Sequence, residues 1–493
     1  MKRIVIIGGG ITGLSATHRI LERSHETGEQ IDVTLLEAGS RIGGIVQTRE
    51  RDGFLLESGP DSFIAEKPEV IRLAKRLGLE SNLIETNQSH RRSFVVRQGK
   101  LLPVPEGFHL LAPGRLWPFL QSGVFSWPGK ARMAMELLLP RRNINGDVAT
   151  ADESLAQFVR RRLGREALER MAQPMVGGIY TADPETLSLR ATMPRFLEME
   201  REHGSVIRAL RKQSRSPTVK EGSEALSGTQ AVSGARYSLF LSFDRGMQLL
   251  TDKLANAIAN SSSGSIRLNT RVESFERQHA TPNEPASWKI RTNNNETLTA
   301  DAVCLALPGF VCARLLRNVD APLASELDNI AYASSSTINL AYQREDIPHS
   351  LDGFGFVVPF VEKRSLIACT FSSVKFSGRA PHDRVLLRAF VGGALQPEMF
   401  GLDDAELISR VRSDLRDLLG IERPPLFGEV SNWELSMPQY TLGHLEKVKR
   451  IRERAASLPR LTLAGNAYSG PGIPDCIRSG ETGADQLIEM LAK

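Results

Sequence analysis

Four glycines at positions 8, 9, 10 and 13 stand between an apolar run and a helical pattern, a spacing that suits phosphate binding. Arg3-Ile4-Val5-Ile6-Ile7 leads directly into Gly8-Gly9-Gly10-Ile11-Thr12-Gly13. Gly8 permits a tight turn, Gly10 lets the main chain approach a pyrophosphate, and Gly13 allows a helix to pack closely on a sheet. Ile11 and Thr12 open that helix, whose first N–H groups face the anion. A second apolar stretch, Val33-Thr34-Leu35-Leu36, ends at Glu37. A carboxylate there accepts both hydroxyls of a ribose and disfavours a 2′-phosphate. The chemistry indicated is dinucleotide binding.

Glu37-Ala38-Gly39-Ser40-Arg41-Ile42-Gly43-Gly44 adds an arginine and a glycine pair after the ribose acid. The pair makes room for a second close pass of the backbone along an extended cofactor, and Arg41 either contacts phosphate or supports the loop. This segment resembles the flavin amine oxidase and protoporphyrinogen oxidase superfamily, where the pattern accompanies FAD. Near the other end, Leu461-Thr462-Leu463-Ala464-Gly465 reads as a strand, followed by Gly470-Pro471-Gly472-Ile473-Pro474 and a helical tail. Pro474 fits a first helical turn, where its missing N–H is not needed. A helix N-terminus there suits the negative pyrimidine side of a reduced flavin.

The elements that must position these residues fill a chain of 493 residues, long enough for more than one domain. With 41% hydrophobic and 24% charged residues and a net charge of +5, it reads as an ordinary globular protein with a mildly basic surface. No basic run alternates with aromatics, which argues against nucleic acid. Cys304, Cys312, Cys369 and Cys476 lie far apart without CxxC spacing, which implies reduced thiols in a cytosolic setting and no metal site. The apolar start stops at Gly8, unlike a signal peptide, and no run of eighteen apolar residues suits a spanning helix.

The expected fold is mixed α/β: a Rossmann-type FAD-binding domain assembled discontinuously from 1–90, 239–300 and 430–493. A helical part covers 91–213, and a substrate-binding β-sheet part covers 301–429 with some of 60–100. The Ser/Gly/Thr-rich stretch 214–238 reads as a flexible insertion. A helical stretch takes in Lys67 and Leu73–Leu79, and Ile266–Val272 and Asp301–Pro308 read as strands. Leu101–Pro140 is rich in Pro, Trp, Phe and Leu with Arg115, Lys130 and Arg132 interspersed. That composition suits a peripheral membrane patch and a helical core equally. In the helical segment Gln157–Glu169, Arg160-Arg161-Arg162 reads as a solvated face.

Along nearly its whole length the chain resembles the FAD-dependent porphyrinogen oxidases of haem synthesis. The marks are the glycine turn, Glu57-Ser58-Gly59-Pro60-Asp61-Ser62-Phe63, Gly177-Gly178-Ile179-Tyr180 and Leu187-Ser188-Leu189. Further marks are Gly353-Phe354-Gly355-Phe356-Val357-Val358-Pro359, Met437 to His444, and Gly472 to Ile477. The resemblance implies FAD contacts at Gly8 to Gly13, Glu37, Ala38, Arg41, Gly43, Gly44, Leu55, Leu56, Glu57, Ser58, Val272, Trp433, Pro471, Gly472 and Ile473. It places a tetrapyrrole between Gly178 and the Phe354, Gly355 and Val357 segment, with Lys67 and Arg92 (or its neighbour Arg91) near the propionates. Two departures are Arg245-Gly246, where the family has a glycine pair, and Pro471, where a small aliphatic residue is usual.

The implied reaction removes six hydrogens from protoporphyrinogen IX or coproporphyrinogen III by hydride transfer to flavin N5, with O₂ as acceptor. No residue stands out as a dedicated acid or base, and His444 reads as structural. The setting implied is cytoplasmic or peripheral on the inner face of the cell membrane, as monomer or homodimer. The alternatives are a related FAD enzyme acting on amines or carotenoid precursors, and a non-catalytic Rossmann-fold binding protein.

Overall fold

Consecutive apolar residues such as Ile4–Ile7 need cover on both faces, which a parallel sheet between helix layers provides. The computed structural model describes residues 2–142, 152–213, 240–278 and 286–492, and the stretch 214–238 lies outside them. Lys2–Ile7 is the central strand of a five-stranded parallel sheet. The order is Gly264–Arg267, Ile31–Leu36, Lys2–Ile7, Ala302–Leu305, Leu461–Leu463. Helices Ile11–Thr27, Gln248–Ala259 and Ile473–Ala492 share a core on one face. The other face is covered by a three-stranded antiparallel sheet and by helices Gly309–Leu316, Ala321–Asp328 and His444–Ala456.

Two strand assignments change. The stretch 266–272 is not one strand: Gly264–Arg267 ends, Asn269 turns through φ 53°, and Val272–Gln278 begins the antiparallel sheet. Asn tolerates that left-handed conformation, and the turn is closed by Asn269 and Thr270 N–H groups donating to the Gly39 and Glu37 carbonyls at 2.9 and 2.8 Å. Ala302–Leu305, grouped by sequence with the substrate part, pairs directly with Lys2–Ile7.

A second, seven-stranded sheet runs in the order Phe427–Pro438, Tyr332–Gln343, Arg384–Gly392, Ala368–Phe371, Gly355–Val357, Phe94–Arg97, Lys100–Pro103. Its last two strands fall where the sequence pattern suggests helix. Val95 faces the helical core while Phe94 and Val96 face the core under helix Asp404–Leu419, so this strand is buried on both sides. The helical part, 116–213, packs Leu155, Phe158, Val159, Met171, Phe196 and Leu210 together with Val357 of the sheet. Among the described residues no helix is long and apolar enough to cross a membrane.

The arginine run does not form one solvated face. Helix Leu155–Arg162 buries Leu155, Phe158 and Val159, and its period turns Arg162 inward with them. Arg162 has no exposed surface and donates from Nε to Glu136 Oε1 at 3.0 Å, and to the carbonyls of Pro140 and Gly204 at 3.1 and 2.7 Å. Glu136 also accepts the Val206 N–H at 2.9 Å, at the start of the next helix. Removing the cation strands a buried carboxylate: Arg162→Met is expected to cost about 3–5 kcal/mol in urea unfolding, while Arg160→Met costs less than about 1 kcal/mol.

Candidate active site

The glycine turn is built from backbone packed on backbone. Gly8 has φ 113°, and a Cβ there would sit 2.3 Å from the Ala306 carbonyl oxygen. A Cβ on Gly13 would lie 1.9 Å from the Gly8 carbonyl oxygen. Gly10 differs: nothing lies within 4 Å of a Cβ there, and no side chain caps the helix it precedes. The free helix N-terminus and the open space beside Gly10 fit a pyrophosphate. Ile11 and Thr12, the first residues of that helix, are buried. Glu37 accepts the Gly9 N–H on Oε2 and the Gly39 N–H on Oε1, both at 2.7 Å. Each oxygen keeps a lone pair for a ribose hydroxyl. Ala38 is exposed beside it, and Val272 is half-buried behind it at the head of the antiparallel sheet.

The glycine pair lies on this turn. Gly43 N–H donates to the Gly9 carbonyl at 2.8 Å, and a Cβ on Gly44 would come within 3.2 Å of Gly10 Cα. Arg41 resolves as the support of this loop, donating to the carbonyls of Ile42, Val46 and Gly44 at 3.1, 3.3 and 2.5 Å. The groove continues along Ser58 and Gly59: the Ser58 N–H donates to the Gln47 carbonyl at 2.9 Å, and a Cβ on Gly59 would lie 1.7 Å from the Ile45 carbonyl oxygen. Ser58 carbonyl accepts Thr337 Oγ1 at 2.7 Å and Trp433 Nε1 at 2.9 Å, which sets the Trp433 ring at the groove's edge.

Three residues expected along the cofactor have buried side chains. Leu55 and Leu56 are buried, Leu56 in a small core with Phe54 and Phe427. The Glu57 carboxylate accepts the Met247 N–H and the Thr48 hydroxyl, each at 2.8 Å, and so clips the start of helix Gln248–Ala259. Burial pushes its pKa up to about 7, against those two hydrogen bonds. Gly246, beside the Arg245 departure, has φ 85° and packs on Thr48.

The C-terminal loop meets the first helix. A Cβ on Gly480 would lie 2.3 Å from the Thr12 carbonyl oxygen, so helix Ile473–Ala492 crosses the N-terminal turn of Ile11–Thr27. Pro471 and Gly472 are half-buried, Ile473 is buried, and Pro474 sits in the first turn as expected. Tyr440, part of the Met437–His444 mark but given no role there, anchors this loop: its hydroxyl accepts the Gly470 N–H at 2.7 Å and donates to the Asn466 carbonyl at 2.5 Å. His444 stacks on that ring at 3.9 Å and is buried, in keeping with a structural part.

On the substrate side, Gly178 is exposed with nothing within 4 Å of a Cβ, and Val357 faces the helical core across from it. Gly355 opens the strand that also carries Val357, and Phe354 stands just before it. Phe354 is 1% exposed, and Gly355 has φ 136° because a Cβ would lie 2.1 Å from the Cys369 carbonyl oxygen. A small cavity of about 20 Å³ opens between the helix Gln173–Tyr180 and the turn after Val358, its lining including Gly177, Thr181, Val358, Leu366, Ile367 and Leu395. The two expected cations part company. Lys67, just ahead of helix Glu69–Arg76, donates to Asp475 Oδ2 at 2.6 Å beside the C-terminal loop. Arg92 is exposed and pairs with Asp352 at 3.0 Å, while neighbouring Arg91 is half-buried.

A parallel sheet, a glycine-walled groove and a helix N-terminus at each end define an FAD-dependent oxidoreductase. The family model for flavin containing amine oxidoreductases matches residues 11–488, and the chain belongs to that family. Within it the chain is 33% identical to the coproporphyrinogen III oxidase of Bacillus subtilis strain 168, over 99% of this chain and 98% of that protein. It is 34% identical to the coproporphyrinogen III oxidase of Propionibacterium freudenreichii, over 99% and 90% respectively. A crystal structure from Exiguobacterium sp. 255-15, provisionally named a protoporphyrinogen oxidase, superposes with TM-score 0.83 at 31% identity over 100% of this chain and 99% of that one.

The two kinds of glycine separate on substitution. Gly13→Ala is expected to lose about 3 kcal/mol of stability even without cofactor. Gly10→Ala should keep its apo melting temperature yet bind FAD at least about tenfold more weakly, about 1.4 kcal/mol; fluorescence titration of the apoprotein measures this.

Proposed function

We propose that this enzyme oxidises coproporphyrinogen III to coproporphyrin III in haem synthesis, with protoporphyrinogen IX as the second substrate to test. The observation that carries it is the full-length similarity to two coproporphyrinogen III oxidases, joined to a flavin groove intact at both ends. Bound FAD supplies the two-electron acceptor. The chain's own contribution is placement. The N–H groups ahead of Ile11 hold the pyrophosphate, Glu37 holds the ribose, and the loop from Gly470 to Ile473 backs the pyrimidine edge. Bare Gly178 leaves room for a wide, flat ring, and Val357 keeps that wall apolar and dry.

Six hydrogens leave in three successive two-electron steps. Across the three steps three methylene-bridge C–H groups give up one hydride each, while two pyrrole N–H groups and, through tautomerisation, the fourth bridge carbon give up one proton each to solvent. Dioxygen then takes two electrons and two protons and departs as hydrogen peroxide. Aromaticity of the product drives the sequence, consistent with a groove that offers no dedicated acid or base. Anaerobic mixing with coproporphyrinogen III should bleach the flavin absorption, and porphyrin fluorescence should rise once air is admitted. An unbleached flavin with either porphyrinogen rejects the proposal.

The proposal includes a peripheral bilayer contact by the helical part. Trp117 and Trp127 are 69% and 71% exposed and Leu138 is 83% exposed. Lys130 lies over the Trp127 ring at 4.4 Å. Such an aromatic and cationic border suits a membrane surface. Flotation with anionic vesicles should carry the parent protein upward and leave the Trp117→Ser/Trp127→Ser variant in the soluble fraction.

A further inference from the structure

Beneath the segment from Glu57 to Asp61 the two sheets meet around five buried charged side chains. Lys375 Nζ donates to both Asp61 oxygens at 3.1 and 2.9 Å. Arg379, 2% exposed, donates to the Asp244 and Phe243 carbonyls and to Ser242 Oγ at 3.1, 2.8 and 3.0 Å. Arg388, 3% exposed, donates to the Gly59 carbonyl, stands 3.9 Å from Asp61 Oδ2, and has an Nε with no partner. Against burial, which would raise it, the Lys375 ammonium and the Arg388 guanidinium hold the Asp61 carboxyl well below the usual carboxylate range. The Glu57 oxygens are taken by Met247 and Thr48. Three buried cations therefore stand against two carboxylates, Asp61 and Glu57, and with both ionised the junction carries one excess positive charge.

A buried guanidinium without a carboxylate of its own is costly. The place of this one shows what balances it. Its acceptor, Gly59, presses its backbone on Ile45 of the glycine-pair loop, so the guanidinium lies one peptide below the cofactor groove. FAD bound along this segment and reduced by a hydride would gain two electrons and one proton, and so would carry one negative charge. In a site shielded from water a fixed cation stabilises that charge far more than solvent would.

We propose that Arg388, with Lys375 and Arg379 around Asp61, is the electrostatic element that favours the reduced, anionic flavin over the oxidised one. This rests on FAD lying along the groove and is independent of which porphyrinogen is oxidised. The test is the midpoint potential of the flavin in the holoenzyme, read without substrate by reductive titration against a reference dye. Arg388→Met should weaken the preference for reduced flavin about tenfold, a potential about 30 mV more negative for a two-electron couple. Arg388→Lys should restore most of it, and Asp61→Asn should move the potential the opposite way. An unchanged potential in Arg388→Met with stoichiometric FAD overturns the proposal. A fall in potential for Asp61→Asn overturns it too, since lost packing rather than charge would then be responsible. If Arg388→Met retains no FAD, the opposed shifts of Lys375→Met and Asp61→Asn decide. Absence of FAD from the parent protein would instead count against the groove itself.

Discussion

The carbonyl oxygen of Gly8 lies where a side chain on residue 13 would begin, 1.9 Å from that Cβ position. The same relation recurs where Gly59 meets the Ile45 carbonyl and where Gly480 meets that of Thr12, at 1.7 and 2.3 Å. At each contact two backbones touch with no side chain between them. The first seats a helix on the parallel sheet, the second lays the Glu57–Asp61 segment against the glycine-pair loop, and the third brings the last helix across the first. Together the three contacts hold the first helix, the glycine-pair loop and the last helix against one another, and the cofactor placement proposed above depends on them.

Charge is buried in two ways in this protein, and the contrast separates scaffold from site. Arg162 and Glu136 are fully enclosed and meet each other, and backbone carbonyls take up the remaining guanidinium donors. That pair closes the helical part and needs nothing from outside. Arg388 is equally enclosed but shares Asp61 with Lys375. Desolvation makes both arrangements expensive, and only the first is repaid within the chain. In the proposed arrangement such an imbalance beside the flavin would tune it.

The substrate wall is defined more by what is missing than by what reaches in. Gly178 contributes no side chain, and the lining of the neighbouring cavity mixes apolar residues with Gln173, Thr181, Arg364 and Gln396. A flat ring whose oxidation ends in an aromatic product asks for a dry surface and correct distance more than for proton-transferring groups. Lys67 pairs with Asp475, which Arg478 also engages, and Arg92 pairs with Asp352.

Short-range features were readable because they depend on local backbone requirements. A turn that needs a glycine carries one wherever it occurs, so Gly8 to Gly13, Glu37, Gly43, Gly44 and the Pro471–Pro474 loop were visible from residue order alone. The tripeptide Arg160-Arg161-Arg162 was not, because the orientation of one arginine depends on which face of its helix meets Glu136. Gly355, expected beside the substrate, also has a packing reason that residue order does not reveal, since it pairs with Thr370 and presses on the Cys369 carbonyl. Arg388 could have been suspected as a charge inside the apolar strand Arg384–Gly392, yet its partner Asp61 is 327 positions away in a different element. Sequence alone determined the cofactor class, since glycine spacing and a single acid encode a local conformation. Tertiary structure alone decided which charges face one another under that cofactor, since electrostatic energy depends on distance in space and on burial, neither of which residue order contains.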